Sequence, residues 1–87
     1  MVCRVATFNS KPDVDEERMR AFRAWMKLQP GFKAAYHVVD PKTGKSLSIS
    51  IWETMEDLVA MKDRTFPGAP LGLKPDTTEI FTQVEEF

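Results

Sequence analysis

Only one cysteine and one histidine occur among the 87 residues of this chain, Cys3 and His37. A lone cysteine cannot close an internal disulfide, so the staple of many small secreted domains is excluded. Cys3 has no cysteine or histidine at a ligand spacing either. No metal site is therefore expected, and the thiol reads as a small buried side chain. Basic residues are nowhere concentrated: twelve Lys and Arg stand against thirteen Asp and Glu, for a net charge of -1. Nucleic-acid binding needs a basic footprint to neutralise phosphates, and none is present. The apolar runs fall far short of a membrane span. The opening "MVCRVATF" has neither the basic start nor the long apolar stretch of a secretion signal. These absences predict a cytoplasmic protein that contacts neither nucleic acid nor membrane.

What is present is a globular composition, 43% apolar and 29% charged. Residues 1–87 are enough for one domain and not two. A domain of this size buries only about 60–65% of its unfolded surface, so a partner subunit would help it.

The pattern along the chain alternates between two periods. "VCRVATF", residues 2 to 8, is rich in β-formers and predicts a first strand, which "NSKP" breaks. Helical spacing follows from Asp13 to Leu28, with Val14, Ala21, Phe22, Trp25 and Met26 as the apolar stripe. Asp13 is the expected cap and Glu16 its reciprocal partner. "QPG" stops the helix. A second strand covers Phe32 to Asp40, "PKTG" is a turn, and a third strand covers Lys45 to Glu53. Thr54 caps a short helix, with Asp57 in the reciprocal position and Met55, Leu58 and Val59 on its buried side. The last strand is expected from Thr77 to about Glu86. The order β-α-β-β-α-β predicts an α+β, ferredoxin-like sandwich: a four-stranded antiparallel sheet with both helices on one face.

The central hairpin can be registered. If Asp40 pairs with Lys45, Tyr36 lies opposite Ile49 and His37 opposite Ser48. One face then carries Phe32, Ala34, Tyr36 and Val38 beside Leu47, Ile49 and Ile51, and is expected to lie under the helices. The other carries Lys33, Ala35, His37 and Val39 beside Ser46, Ser48, Ser50 and Trp52. Small side chains let a second sheet approach closely, so His37, Val39, Ser48, Ser50 and Trp52 are the expected interface of a homodimer.

The stretch "PGFKAAYHVVDPKTGKSLSISIWETMEDL", residues 30 to 58, resembles the antibiotic biosynthesis monooxygenase domain family of the dimeric α+β barrel superfamily. Similar "PGF" starts, "D-x-x-T-G-K" hairpins and "W-E-(S/T)-x-E" joints recur there, and the "MVxRVATF" start also fits. The likeness covers nearly the whole chain. It implies a homodimer whose two sheets pack face to face. It implies, for some members, a cavity between sheet and helices and an oxidation of aromatic or quinone-like molecules without cofactor. Functions in the family are diverse, so the fold does not choose among them.

Candidate site residues follow from both lines. Phe22 and Trp25 from the first helix and Tyr36 from the second strand are the expected aromatic walls of a ligand pocket. Helix aromatics of this kind are more often plain core. Asn9, at the end of the first strand, is placed near the entrance by loose likeness to an asparagine that contacts ligand in oxygenase members. Tyr36, Asn9 and His37 are the candidates for catalysis. An imidazole suits general-base work, although the register puts His37 away from the helix side as expected here. Haem-degrading members would want a late histidine, and residues 54 to 87 have none. Arg4, inside a strand expected to be central, reads first as the ion-pair partner of Glu79 or Glu85 and second as an anion anchor. "TFPGAPLGLKPD" is long for a connection. Its Phe66 and Leu71 or Leu73 are expected to cover one end of the sheet, as edge protection or as a partial lid. Two functions are carried forward: a cofactor-independent monooxygenase acting on an aromatic or quinone-like small molecule, and a non-catalytic dimer that binds one.

Overall fold

The structure is a computed structural model, and it describes residues 1–10, 13–64 and 74–87, with the Lys62 side chain set aside. The expected lid residues Phe66, Leu71 and Leu73 lie outside the described residues.

Six elements follow the expected order: β1 (Val2–Phe8), α1 (Glu16–Lys27), β2 (Phe32–Val39), β3 (Ser46–Trp52), α2 (Met55–Lys62) and β4 (Thr77–Phe81). The four strands form one antiparallel sheet in the order β2-β3-β1-β4, the arrangement of a ferredoxin-like sandwich. β4 stops at Phe81, short of the expected Glu86. Phe81 already pairs with Cys3, one residue inside the start of β1, so little ladder remains to continue it.

Local chemistry explains the element ends. Asp15, not Asp13, caps α1: its Oδ1 accepts from the Glu17 amide at 2.9 Å and the Arg18 amide at 3.3 Å. The choice places Glu16 and Glu17 in the first turn, against the positive end of the helix dipole. α2 is capped as expected by Thr54, whose Oγ1 accepts from the Asp57 amide at 3.1 Å. The Thr54 hydroxyl in turn donates to Asp57 Oδ2 at 2.9 Å. The hairpin closes in the expected register, Asp40 N–H to Lys45 O at 2.8 Å, with Gly44 at φ +78°.

The core sits at one end of the helix-facing side. Val2, Trp52 and Leu58 are buried together, with Met26, Phe32, Met55 and Met61 packed against them. Trp52 is only 1% exposed. Phe32 meets its indole edge-on, ring centres 5.7 Å apart at 86°. Val59, expected on the buried side of α2, is instead exposed, as is Ala21 on α1.

This core reverses the expected assignment of the sheet faces. The register of β2 on β3 is as expected from Ala34 to Val39, including Tyr36 opposite Ile49 and His37 opposite Ser48. Trp52 lies under the helices, however, and alternation carries Ser50, Ser48 and Ser46 to the same side. The row Leu47, Ile49 and Ile51 takes the outer side, with Tyr36 and Val38. Phe32 was grouped with that row; an irregularity between Phe32 and Ala34 shifts the register, so Phe32 reaches the Trp52 side. The physical reason for the reversal is the anchor. A tryptophan, a phenylalanine and four methionine or leucine side chains bury more apolar area than three aliphatics.

A second link fixes the β2 start to the β3–α2 joint. Gly31 has φ +82°, and a Cβ there would overlap the Asp57 side chain. Its carbonyl accepts from the Glu53 amide at 2.7 Å. The Lys33 ammonium meets Glu53 Oε2 at 2.5 Å. That hydrogen bond first, and the carboxylate charge second, raise the lysine pKa. The "PGF" and "WET" segments are thus one interlocked corner.

Candidate functional site

The helix-facing floor can be read row by row across the sheet. Beyond the Phe32–Trp52–Val2 row comes Ala35, Ser50, Arg4 and Ile80. The next row is His37, Ser48, Ala6 and Thr78. The middle of this floor is therefore made of small side chains, where helix-covered sheets ordinarily present large aliphatics. Ala6 and Ser50 are buried there, 2% and 8% exposed. On α1, Phe22 and Trp25 are half-buried, with ring centres 5.9 Å apart.

Two polar features stand out on this floor. Trp52 Nε1 donates to Ser50 Oγ at 3.0 Å. With that oxygen occupied as an acceptor, the Ser50 hydroxyl proton is left to donate elsewhere. Directly opposite Ser50 is Arg4, half-buried, and burial lowers its pKa. Its expected partners do not reach it. Glu79 lies opposite Val5 and so on the other face, and Glu85 lies beyond the end of β4. The ion pair Lys33–Glu53 does not involve it, and no carboxylate engages it among the described residues. Further along, Ser46 is 3% exposed and its Oγ has no hydrogen-bond partner among the described residues.

The expected pocket residues are not brought together. Phe22 and Trp25 are on α1, but Tyr36 is on the outer sheet face and 57% exposed. Its phenol is on the wrong side of the sheet to orient a ligand beneath the helices. Asn9 is exposed just after β1, and its amide N–H donates to Asp76 Oδ2 at 2.6 Å, which is loop chemistry. The expected interface residues His37, Val39, Ser48, Ser50 and Trp52 share a face, but it is the helix-facing one. Ser50 and Trp52 are buried within the protomer, Ser48 is half-buried, and His37 and Val39 are exposed towards the β2 edge. Among the described residues no group of three His, Cys, Asp or Glu side chains could hold a metal. A shallow depression of about 290 Å³ at the hairpin tip is lined by Val38, Val39, Asp40, Lys45, Ser46 and Leu47.

Arg4 is the residue that sequence reasoning assigned to a structural pair. The signal that corrects it is register: no acidic residue falls beside it on the same face of β3 or β4.

No family model and no curated protein matches the sequence. Solved structures do match the fold. A protein from Chloroflexus aurantiacus J-10-fl, provisionally named an antibiotic biosynthesis monooxygenase, superposes with a TM-score of 0.69 at 15% identity. The match covers 99% of this chain and 95% of that one. Rv0793 from Mycobacterium tuberculosis matches with a TM-score of 0.57 at 13% identity, over 98% of this chain and 96% of its own. No helix among the described residues is long and apolar enough to cross a membrane. Over nearly its whole length, then, this chain shares the α+β fold of these two structures, which bears out the expected ferredoxin-like β-α-β-β-α-β protomer.

Proposed function

We propose that the chain is a homodimeric oxidoreductase that takes a flat aromatic or quinol-like molecule on the helix-facing side of its sheet. The observation that carries this is the row of small residues Ala6, Ala35, Ser48 and Ser50 on the helix-facing side of the sheet, with an aromatic pair, Phe22 and Trp25, on α1. Aromatic walls with a few polar groups suit a flat hydroxylated ligand, because the rings stack and the polar groups orient it. The name of the Chloroflexus protein supports the reaction class.

The chemistry needs no resident cofactor if the substrate supplies the electrons. A methylene flanked by aromatic rings loses a proton, and its carbanion reduces oxygen. One oxygen atom becomes the new carbonyl, and the other leaves as water with the two hydrogens of the methylene. A quinol instead gives two electrons and two protons to oxygen, yielding quinone and hydrogen peroxide. His37, opposite Ser48 at the open edge, is the chain's candidate for the proton.

The dimer rests on the other face. Tyr36, Val38, Leu47, Ile49, Ile51 and Phe81 form an apolar sheet surface that neither α1 nor α2 covers. Monomers rarely expose so continuous an apolar face, and a second copy of the same sheet is its natural cover.

A second reading, a non-catalytic binding dimer, is favoured by one observation: Tyr36 is absent from the helix-facing side, which leaves no phenol there to pair with a base. Oxygen uptake with a panel of anthrones and naphthoquinols, followed together with tryptophan fluorescence, separates the two. Binding with uptake supports the oxidoreductase. Binding without uptake supports the second reading.

A further inference from the structure

We propose that Arg4 is the specificity-determining residue of this site and selects ligands carrying an anionic oxygen, a carboxylate or an ionised enol or phenol. The inference rests on the helix-facing site proposed above and names the chemistry it recognises.

The argument begins from the cost of a partly desolvated charge. Buried guanidinium groups are ordinarily paired, because removing their hydration is costly. Arg4 sits on β1, which has β3 on one side and β4 on the other. Its same-face neighbours across the strands are Ser50 and Ile80, neither of them charged. No carboxylate among the described residues offsets it. Nor can the remaining residues supply one, since residues 11–12 and 65–73 contain no Asp or Glu. Among the described residues, Arg4 is thus a half-buried cation on a central strand with no carboxylate beside it. A ligand anion would complete the pair.

The neighbours suit this. Ser50 has its oxygen occupied by the Trp52 indole and a proton to give, so guanidinium and hydroxyl present donors side by side. Ala6 and Ser48, in the next row, are small and uncharged. Guanidinium binds a carboxylate through two parallel hydrogen bonds and an enolate oxygen through one or two. An anion held there is also the electron-rich form of a phenol or enol, the form that reacts with oxygen.

The test is a fluorescence titration of the full chain with four probes at neutral pH: 2-naphthoate, 2-hydroxy-1,4-naphthoquinone as its enolate, and the neutral 2-acetylnaphthalene and 1,4-naphthoquinone. The wild type should bind at least one anion about tenfold or more tightly than its neutral counterpart, the margin of a hydrogen bond to a charged group. Preference for the naphthoate alone would identify a carboxylate ligand; preference for the enolate alone, an ionised enol or phenol. Arg4→Gln should abolish the preference while neutral probes bind as before, and Arg4→Lys should retain part of it. Equal binding of anions and neutrals by the wild type overturns the proposal, whatever the variants do. If the anthrones or naphthoquinols drive oxygen uptake but anions are not preferred, the proposal fails and the oxidoreductase stands. If anions bind through Arg4 and no anthrone or naphthoquinol drives oxygen uptake, the proposal stands and the oxidoreductase fails. Should no probe bind below about 1 mM, the affinity of a weak fragment, both are overturned.

Discussion

Trp52 and Ser50 lie two residues apart on the same side of β3, joined by a 3.0 Å hydrogen bond from the indole Nε1 to the serine Oγ. The bond satisfies a polar atom of the most deeply buried side chain among the described residues and fixes a serine at the head of the helix-facing floor. Removing its acceptor would leave a buried N–H unpaired. Ser50→Ala should therefore lower stability by about 1–3 kcal/mol. Urea unfolding would measure it. Stability unchanged within error would mean the indole finds water or another acceptor.

The two faces of β3 should answer differently to the same substitution. Ile49→Arg puts a charge on the outer, apolar face and should turn the dimer into a folded monomer. Ser48→Arg puts it beneath the helices and should weaken ligand binding or the fold, and leave a folded fraction dimeric. Sedimentation of both variants at micromolar concentration checks this. Dissociation by Ser48→Arg with Ile49→Arg still dimeric would return the interface to the serine face.

The corner between β2 and α2 has no room for a side chain. Gly31→Ala would meet the Asp57 carboxylate and hold a backbone at φ +82°. A loss of about 1–3 kcal/mol is expected from the backbone alone, with a further steric loss. In an Asp57→Ala background the carboxylate overlap is removed while the Cβ at 2.6 Å remains, so the steric part should shrink and the backbone part persist. Purely additive losses in this double-mutant cycle would show that the two residues do not touch.

Cys3 gives a pH test. Burial raises its thiol pKa, so the reactive thiolate should become populated only at higher pH than in free cysteine. The profile of iodoacetamide alkylation against pH should be displaced upward relative to N-acetylcysteine. A downward displacement would mean that a positive neighbour outweighs desolvation.

Much of the fold was legible because it is written in local signals. The Thr54 cap, the Asp40–Lys45 hairpin closure, Gly44 and the alternation of β3 all follow from residue chemistry over a few positions. The identity of the buried face was not. Alternation fixes which residues share a side but not which side the helices cover. That choice depended on Trp52, read as the rim of an interface, and on the irregularity at Lys33 that brings Phe32 to it. A two-sided sheet, apolar on one face and small-polar on the other, inverts the usual rule when the apolar face is left for a partner. The site inherited the same error: Phe22 and Trp25 were placed with Tyr36, which belongs to the opposite face. Arg4 was legible as a residue, but its lack of a partner needed the β1–β4 register.

The central claim is that the two faces of one sheet have separate tasks, ligand beneath the helices and a second copy on the outside. The most direct measurement is a crystal structure of the chain soaked with 2-hydroxy-1,4-naphthoquinone. The account predicts ligand density on the helix-facing side beside Arg4, Ser48 and Ser50, and a two-fold dimer packed through Tyr36, Ile49 and Ile51. Ligand density on the Tyr36 and Ile49 face, or a dimer built on Ser48, would contradict it.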